Sequence, residues 1–219
     1  MYLTRVHLNE KRRGTMRALS CPAMIHGAVE SAFPGERRRR LWRIDRMEDV
    51  WYLLVLSEDK PDMKNVVDQF GFPGEAPQWE TRSYEPLLNR IQPQSNWHFR
   101  LTANPTRSSA AEAGSGGRGK VHNHVTIEQQ KKWLMDRAES HGFRLNEDDF
   151  TITFREWNVF HKKGNRGPKV SILSVTYEGN LTVTDTEQFC DTLTEGIGRG
   201  KAYGMGMLTV ATPRGNNHE

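Results

Sequence analysis

Residues 41–56, LWRIDRMEDVWYLLVL, decide the fold. Leu41 to Arg46 and Val50 to Leu56 are two strand-like runs separated by a short polar turn, the pattern of a β-hairpin. Upstream, Pro22 to Phe33 carries proline at its first helical turn and Met24, Ile25, Ala28, Val29 and Ala32 on one face. This predicts an amphipathic helix, ended by Pro34-Gly35. Met1 to Leu8 alternates apolar and polar residues and reads as a strand. Downstream, Pro61 to Phe70 has helical spacing at Met63, Val66, Val67 and Phe70, Gly71 to Gly74 breaks it, and Trp79 to Tyr84 supplies one more strand. The order β-α-β-β-α-β is the ferredoxin-like unit.

The same order recurs. Trp97 to Thr102 reads as a strand, Thr126 to Ser140 as a helix, and Phe150 to Phe160 as an alternating strand. Val170 to Tyr177 and Leu181 to Val183 form a further strand with a bulge or turn around Glu178-Gly179-Asn180. Thr186 to Glu195 is a short helix, and Met207 to Ala211 completes the set. The fold class is therefore α+β: two tandem ferredoxin-like (βαββαβ, RRM-like) domains, residues 1–90 and 94–213, with the join near Leu88 to Gln94. Asn104 to Asn123, which contains AAEAGSGGRGK, reads as a flexible low-complexity insertion, and its order in the presence of a ligand is left open.

Composition narrows the partners. With 36% hydrophobic and 26% charged residues and no long apolar run, the chain is expected to be a globular protein without a spanning helix or membrane partner. MYLTRVHLNEKRRG has no apolar region of signal-peptide type, so Cys21 and Cys190 are expected as reduced thiols in the cytoplasm. The net charge of +4 is modest but clustered: Lys11, Arg12, Arg13 and Arg17; Arg37 to Arg40; and Lys162, Lys163, Arg166 and Lys169. Three basic clusters beside turn signals favour a polyanion such as nucleic acid.

The run Gly196 to Val210, GIGRGKAYGMGMLTV, sets five glycines among Arg199, Lys201 and Tyr203. Such a backbone suits an anion-binding concavity, and it equally suits a glycine-rich turn before a buried strand. A mononucleotide loop is excluded, because Glu195 stands where its first glycine belongs and Ala202 where its hydroxyl belongs. The dinucleotide fingerprint opens a first βαβ helix, whereas this run lies near the end of the chain.

With these elements in place the chain resembles the CasE family, the CRISPR-associated endoribonucleases that cut precursor CRISPR RNA in type I-E systems. Four stretches carry the likeness in the family's order: MYLTRVHLN, PAMIHGAVESAFPG, WHFRLTANPTR and GIGRGKAYGMGMLTV. The resemblance implies two ferredoxin-like domains and a repeat RNA with a short hairpin, cut at the 3′ base of its stem. It also implies that the protein stays on the mature crRNA as a subunit of Cascade.

Cleavage in that family needs no metal: the ribose 2′-OH attacks the adjacent phosphorus, expels the 5′-oxygen and leaves a 2′,3′-cyclic phosphate. His26, in the first helix, matches the family's catalytic histidine, and an imidazole suits either proton-transfer role near neutral pH. Some members carry a tyrosine three residues earlier, where this chain has Ala23, so the second catalytic group stays open. The resemblance assigns RNA contacts to the basic hairpin, here His161, Lys162, Lys163, Arg166 and Lys169, with Arg107, Arg118 and Lys120 in support. Gly198, Arg199, Gly200 and Lys201 are expected to hold the RNA backbone near the cut. His122 and His124 lack the companions of a metal site, and no metal or cofactor is expected. The alternative reading is a non-catalytic tandem RRM-like RNA-binding module.

Overall fold

The computed structural model describes residues 1–35, 38–74, 76–109, 120–161 and 167–213. The N-terminal unit runs β1 (Tyr2–Leu8), α1 (Arg13–Leu19), α2 (Pro22–Ser31), β2 (Leu41–Met47), β3 (Val50–Ser57), α3 (Lys64–Phe70), β4 (Trp79–Ser83) and a short α4 (Glu85–Leu88). Its strands order as β2-β3-β1-β4, all antiparallel, with the first and third strands central as a ferredoxin-like unit requires. Between β2 and β3, Glu48 and Asp49 take φ of 48° and 66°. That left-handed pair is the two-residue turn whose twist matches a hairpin.

β3 is apolar without alternation because both of its faces are covered. Leu53 and Val55 pack with Val6, Ile25, Val29 and Val67 on the helix side. Leu54 and Leu56 join a second core with Leu41, Phe99, Leu101 and Phe189. One face of the first sheet is thus closed by its own helices and the other by the second unit.

That unit repeats the order. β5 (Asn96–Ala103), α5 (Ile127–Ala138), β8 (Phe143–Arg144), β9 (Phe150–His161), β10 (Lys169–Val183), α6 (Thr186–Glu195) and β11 (Leu208–Ala211) give the sheet β11-β5-β10-β8, with β9 also pairing β10. Between β5 and α5, β6 (Thr106–Ser108) pairs β7 (Val121–Asn123). β10 meets β5 only over Val175–Thr182, while its register with β9 begins at Lys169 opposite His161. Residues 156–161 and 169–174 therefore form a two-stranded ribbon that extends past the sheet.

Three expectations change. α1 was not predicted, because RGTMRAL turns only Thr15 and Ala18 inward and has no apolar stripe. Its place is fixed by tertiary bonds: Thr15 Oγ1 donates to the Phe70 carbonyl at 3.0 Å, and the Arg12 guanidinium donates to the carbonyls of Val67, Asp68 and Gly71 at 3.4, 2.7 and 3.1 Å. Arg12 thereby adds donors at the C-terminal end of α3 and its cap, where the Val67 carbonyl also accepts from the Gly71 N–H at 2.8 Å. β10 runs unbroken through residues 178–180, and the register shift lies between Thr176 and Tyr177. Gly179 is demanded by the close approach of Asp149 and Phe150, whose atoms would collide with any Cβ there. The two arms of the predicted insertion are paired as β6 and β7, and the Ser109 N–H donates to the Lys120 carbonyl at 2.9 Å.

The two units are joined through a buried ion pair on β2 whose members reach across to β5 and β11. Arg43 on β2 donates Nε and Nη2 to the Asp45 carboxylate at 2.8 and 2.7 Å. It donates Nη1 to the carbonyls of Arg100 and Met207 at 2.9 and 2.8 Å, and Nη2 also to Thr209 Oγ1 at 2.8 Å. All five guanidinium donors are therefore used. Among the described residues no helix is long and apolar enough to cross a membrane.

Candidate functional site

Proline at the first position of α2 leaves no unsatisfied donor there, and the helix buries Pro22, Ile25, Ala28 and Val29. His26 sits at the rim of that buried face and is half-buried. Because α1 precedes it, the histidine stands in the second helix of the chain, not the first.

The glycine run is packed against this helix. α6 ends at Glu195, and a 3-10 turn at Lys201–Tyr203, flanked by Gly200 and Gly204 at φ of 87° and 79°, lies on α2. Gly204 is required twice, by that φ and by the Trp42 ring, which a Cβ would meet at 2.7 Å. At Gly206 (φ +88°) a Cβ would stand 2.6 Å from the Ile197 carbonyl, since the arms of the loop close on each other. Ile197 donates to the Gly206 carbonyl at 2.8 Å, and Gly206 donates to Thr102 on β5 at 2.6 Å.

The expected anion cradle is thereby narrowed. The N–H groups of Ile197, Tyr203, Gly204, Met205 and Gly206 are all engaged by backbone carbonyls. The stretch Gly198 to Lys201 remains as the segment with other work to do. Arg199 bridges Asn104 and its Nη2 donates to Ser108 Oγ at 3.4 Å, placing it beside β6. Burial, and then the neighbouring Arg39, push the Lys201 ammonium below the ordinary lysine range, while Glu195 opposes them. Lys201 is thus a better proton donor than a solvated lysine.

The third component is the base of the ribbon. Phe160, Ile172 and Met205 form a small buried cluster, with Cys21, Ala23, Val170 and Tyr203 packed against it. The Phe160 and Tyr203 rings meet edge to face, 5.1 Å apart at 63°. One cluster therefore ties the start of α2, the glycine loop and the ribbon together. Ala23 leaves room for that packing, which engages the Tyr203 ring.

Other expected site residues fall in two groups. His161 is exposed at the end of β9, its Nδ1 3.0 Å from the Gly167 carbonyl, and Lys169 is paired opposite it. Arg107 and Lys120 are exposed on and beside the β6–β7 pair, in the neighbourhood of Arg199. Lys162, Lys163, Arg166 and Arg118 lie outside the described residues. Of the basic cluster near residue 38, Arg38 pairs with Glu58 at 2.8 Å, Arg39 with Glu195 at 3.5 Å and Arg40 with Glu30 at 3.5 Å. Those cations are already matched and add little free field. Burial and then Arg107 and Arg137 hold the His124 imidazole below the usual range, although its sequence neighbours give no sign of this. Neither it nor the cluster of residues 160, 172 and 205 has a local sequence signal, because both arise from contacts between distant segments.

Two ferredoxin-like units carrying a helix histidine, a glycine-cation loop and a protruding β-ribbon define a class of protein. The sequence pattern of the family described as CRISPR associated protein matches residues 1–212, and the chain belongs to that family. The CRISPR-associated endoribonuclease Cse3 of Thermus thermophilus is 34% identical over 226 residues, covering 96% of this chain and 100% of that protein. A structure of Cse3 bound to a 19-nucleotide RNA superposes with a TM-score of 0.78 at 29% identity, over 96% of this chain and 100% of that one. A chain of a CRISPR RNA-guided surveillance complex in its pre-nicking state shares the fold, with a TM-score of 0.68 at 22% identity over 96% of this chain and 99% of that one.

Proposed function

We propose that this protein is a metal-independent endoribonuclease that binds the repeat hairpin of precursor CRISPR RNA and cuts at the 3′ base of the stem. The observation that carries the reading is the meeting of α2, the Lys201–Tyr203 turn and the ribbon base on one apolar cluster. On this reading His26 is the proton-transfer group, Lys201 the cation and the ribbon the element that reaches the RNA. Residues 1–90 form the catalytic unit and 94–213 the unit that grips RNA. The family likeness to an RNA-bound endoribonuclease supports the substrate class.

In the reaction, the ribose 2′-oxygen forms a bond to phosphorus while the bond from phosphorus to the 5′-oxygen breaks. The 2′-hydroxyl loses its proton and the departing 5′-oxygen gains one, so the products are a 2′,3′-cyclic phosphate and a 5′-hydroxyl. His26 takes part in these proton transfers, and Lys201 and Arg199 offset the charge that builds on the phosphorane. Fixing the 2′-oxygen in line with the leaving oxygen supplies a large share of the acceleration. His161, Lys162, Lys163, Arg166, Lys169, Arg107, Arg118 and Lys120 hold the stem, chiefly through phosphates, since an A-form major groove is too narrow for side chains to read. The mature RNA stays bound, and the protein joins the other Cascade subunits in the cytoplasm.

The test is incubation with the cognate repeat RNA in EDTA, beside an RNA with a single 2′-deoxy sugar at the cut and a His26→Ala variant. Wild type is expected to cleave in EDTA, the deoxy RNA to stay intact, and His26→Ala to lose about 10²- to 10⁴-fold in rate. Cleavage that requires magnesium, or that survives both changes, overturns the mechanism. Tight binding without cleavage of the cognate repeat would show a binding module instead.

A further inference from the structure

The stem contacts leave unused a second surface on the ribbon. Residues directly opposite each other in an antiparallel pair share a face. The register pairs Arg155 with Val175, Trp157 with Leu173 and Val159 with Ser171. Val175 and Leu173 belong to the core that contains Trp133 and Leu134 of α5. Arg155, Trp157 and Val159 therefore lie on the α5 side of the sheet, away from the face that Phe160 and Ile172 turn toward α2. The Arg155 guanidinium donates to the Val125 carbonyl at 2.6 Å and so anchors β9 to the turn before α5. Trp157 is 47% exposed, Val159 50%, Val125 54% and Ile127 46%, which leaves an aromatic and aliphatic patch open around that arginine.

The charges around the patch favour a polyanion. Among the described residues, Arg107, Lys169 and Arg199 have no carboxylate within ion-pair distance, and Arg155, likewise outside any ion pair, has the Glu128 carboxylate within electrostatic reach. The groove of about 820 Å³ between the two units, which Trp157 and Val159 also border, is the opposite case. There Arg43 is matched by Asp45 at 2.7 Å, Arg46 by Asp49 at 2.6 Å and Arg100 by Glu178 at 2.8 Å. An open indole beside unmatched guanidinium groups is the combination that takes up splayed nucleobases and their phosphates, whereas stem phosphates need cations alone.

We infer that the face formed by Trp157, Val159, Val125 and Ile127 beside Arg155 is a nucleobase platform, on which an unpaired nucleotide flanking the repeat stem stacks against the Trp157 indole. The inference rests on RNA as the ligand but not on cleavage, so the two can fail separately. From Trp157 to His161 the ribbon rises about 13 Å, so the platform and the ribbon's far end can hold one continuous RNA.

The test compares the affinity of wild type, Trp157→Ala and Trp157→Phe for two RNAs, both carrying the 2′-deoxy sugar that blocks the cut. One RNA is the bare stem-loop, and the other carries its single-stranded flanks. Trp157→Ala is expected to weaken the flanked RNA by about tenfold or more, leave the bare stem unchanged, and be largely rescued by phenylalanine. Equal weakening of both RNAs, or no rescue by phenylalanine, overturns the platform even if the nuclease reading stands. Unchanged affinity for both RNAs, with Trp157→Ala instead dropping out of the assembled surveillance complex, would show a protein-docking face and also overturn it. Failure of wild type to bind either RNA would remove the platform together with its substrate class.

Discussion

At the scale of single residues, His124 shows how the basic surface acts on its own members. Burial and the nearby Arg107 and Arg137 disfavour its imidazolium, so its native pKa lies below the unfolded value of about 6.5. Above pH 6.5 both states are neutral and nothing is lost; as pH falls below it, the unfolded chain binds the proton first and the native state loses stability. Urea unfolding at pH 7.5 and pH 5.5 is expected to show a smaller acid loss for His124→Gln than for wild type. An equal loss in both proteins would remove His124 as a cause. The same residue illustrates what a sequence withholds, because HNH at 122–124 has no feature that announces two arginines, one of them on the following helix.

At the scale of elements, local chemistry decided most boundaries. α6 falls on Thr186–Glu195 as predicted, because Asp185 accepts from the Gln188 N–H at 2.9 Å and Gly196 ends the helix. α1 escaped prediction because its stability comes from Thr15 and Arg12 bonding to α3, contacts that no helical periodicity encodes. The ribbon is the element whose position matters most for the proposed activity. Phe160 is buried at its base against Tyr203 and Met205, so Phe160→Ala removes the contact that ties it to the glycine loop. We expect that variant to lose about 3 kcal/mol or somewhat less, since the site lies at the periphery and can collapse, and to lose cleavage at temperatures where it is still folded. Thermal unfolding together with a cleavage assay checks both. Full activity in the folded variant would show that the ribbon needs no such anchor.

At the scale of the whole molecule, Arg43 and Asp45 hold two sheets in one frame through bonds that reach from β2 to β5 and β11. Side chains only 2% and 4% exposed leave no water to replace a missing partner. Arg43→Met is expected to cost about 3–5 kcal/mol in urea denaturation, because Asp45 is left buried with Arg100 as its remaining cation. The double variant Arg43→Met with Asp45→Leu should recover part of that loss; a loss within error of zero for the single variant would show that the pair does not join the units. Hairpin turns, strand alternation, proline at a helix start and glycines near the chain end are local signals, and they made the doubled βαββαβ plan readable from the residues alone, apart from α1, β8 and the β6–β7 pair. Folding supplied the rest. The second face of β3, the narrowed glycine loop, the Phe160 cluster and the Arg43 junction each join segments far apart in the chain, Arg43 and Met207 being separated by 164 positions. Backbone preference acts over a few neighbouring residues, whereas burial and ion pairing depend on which distant surfaces meet, and only the packed structure specifies that.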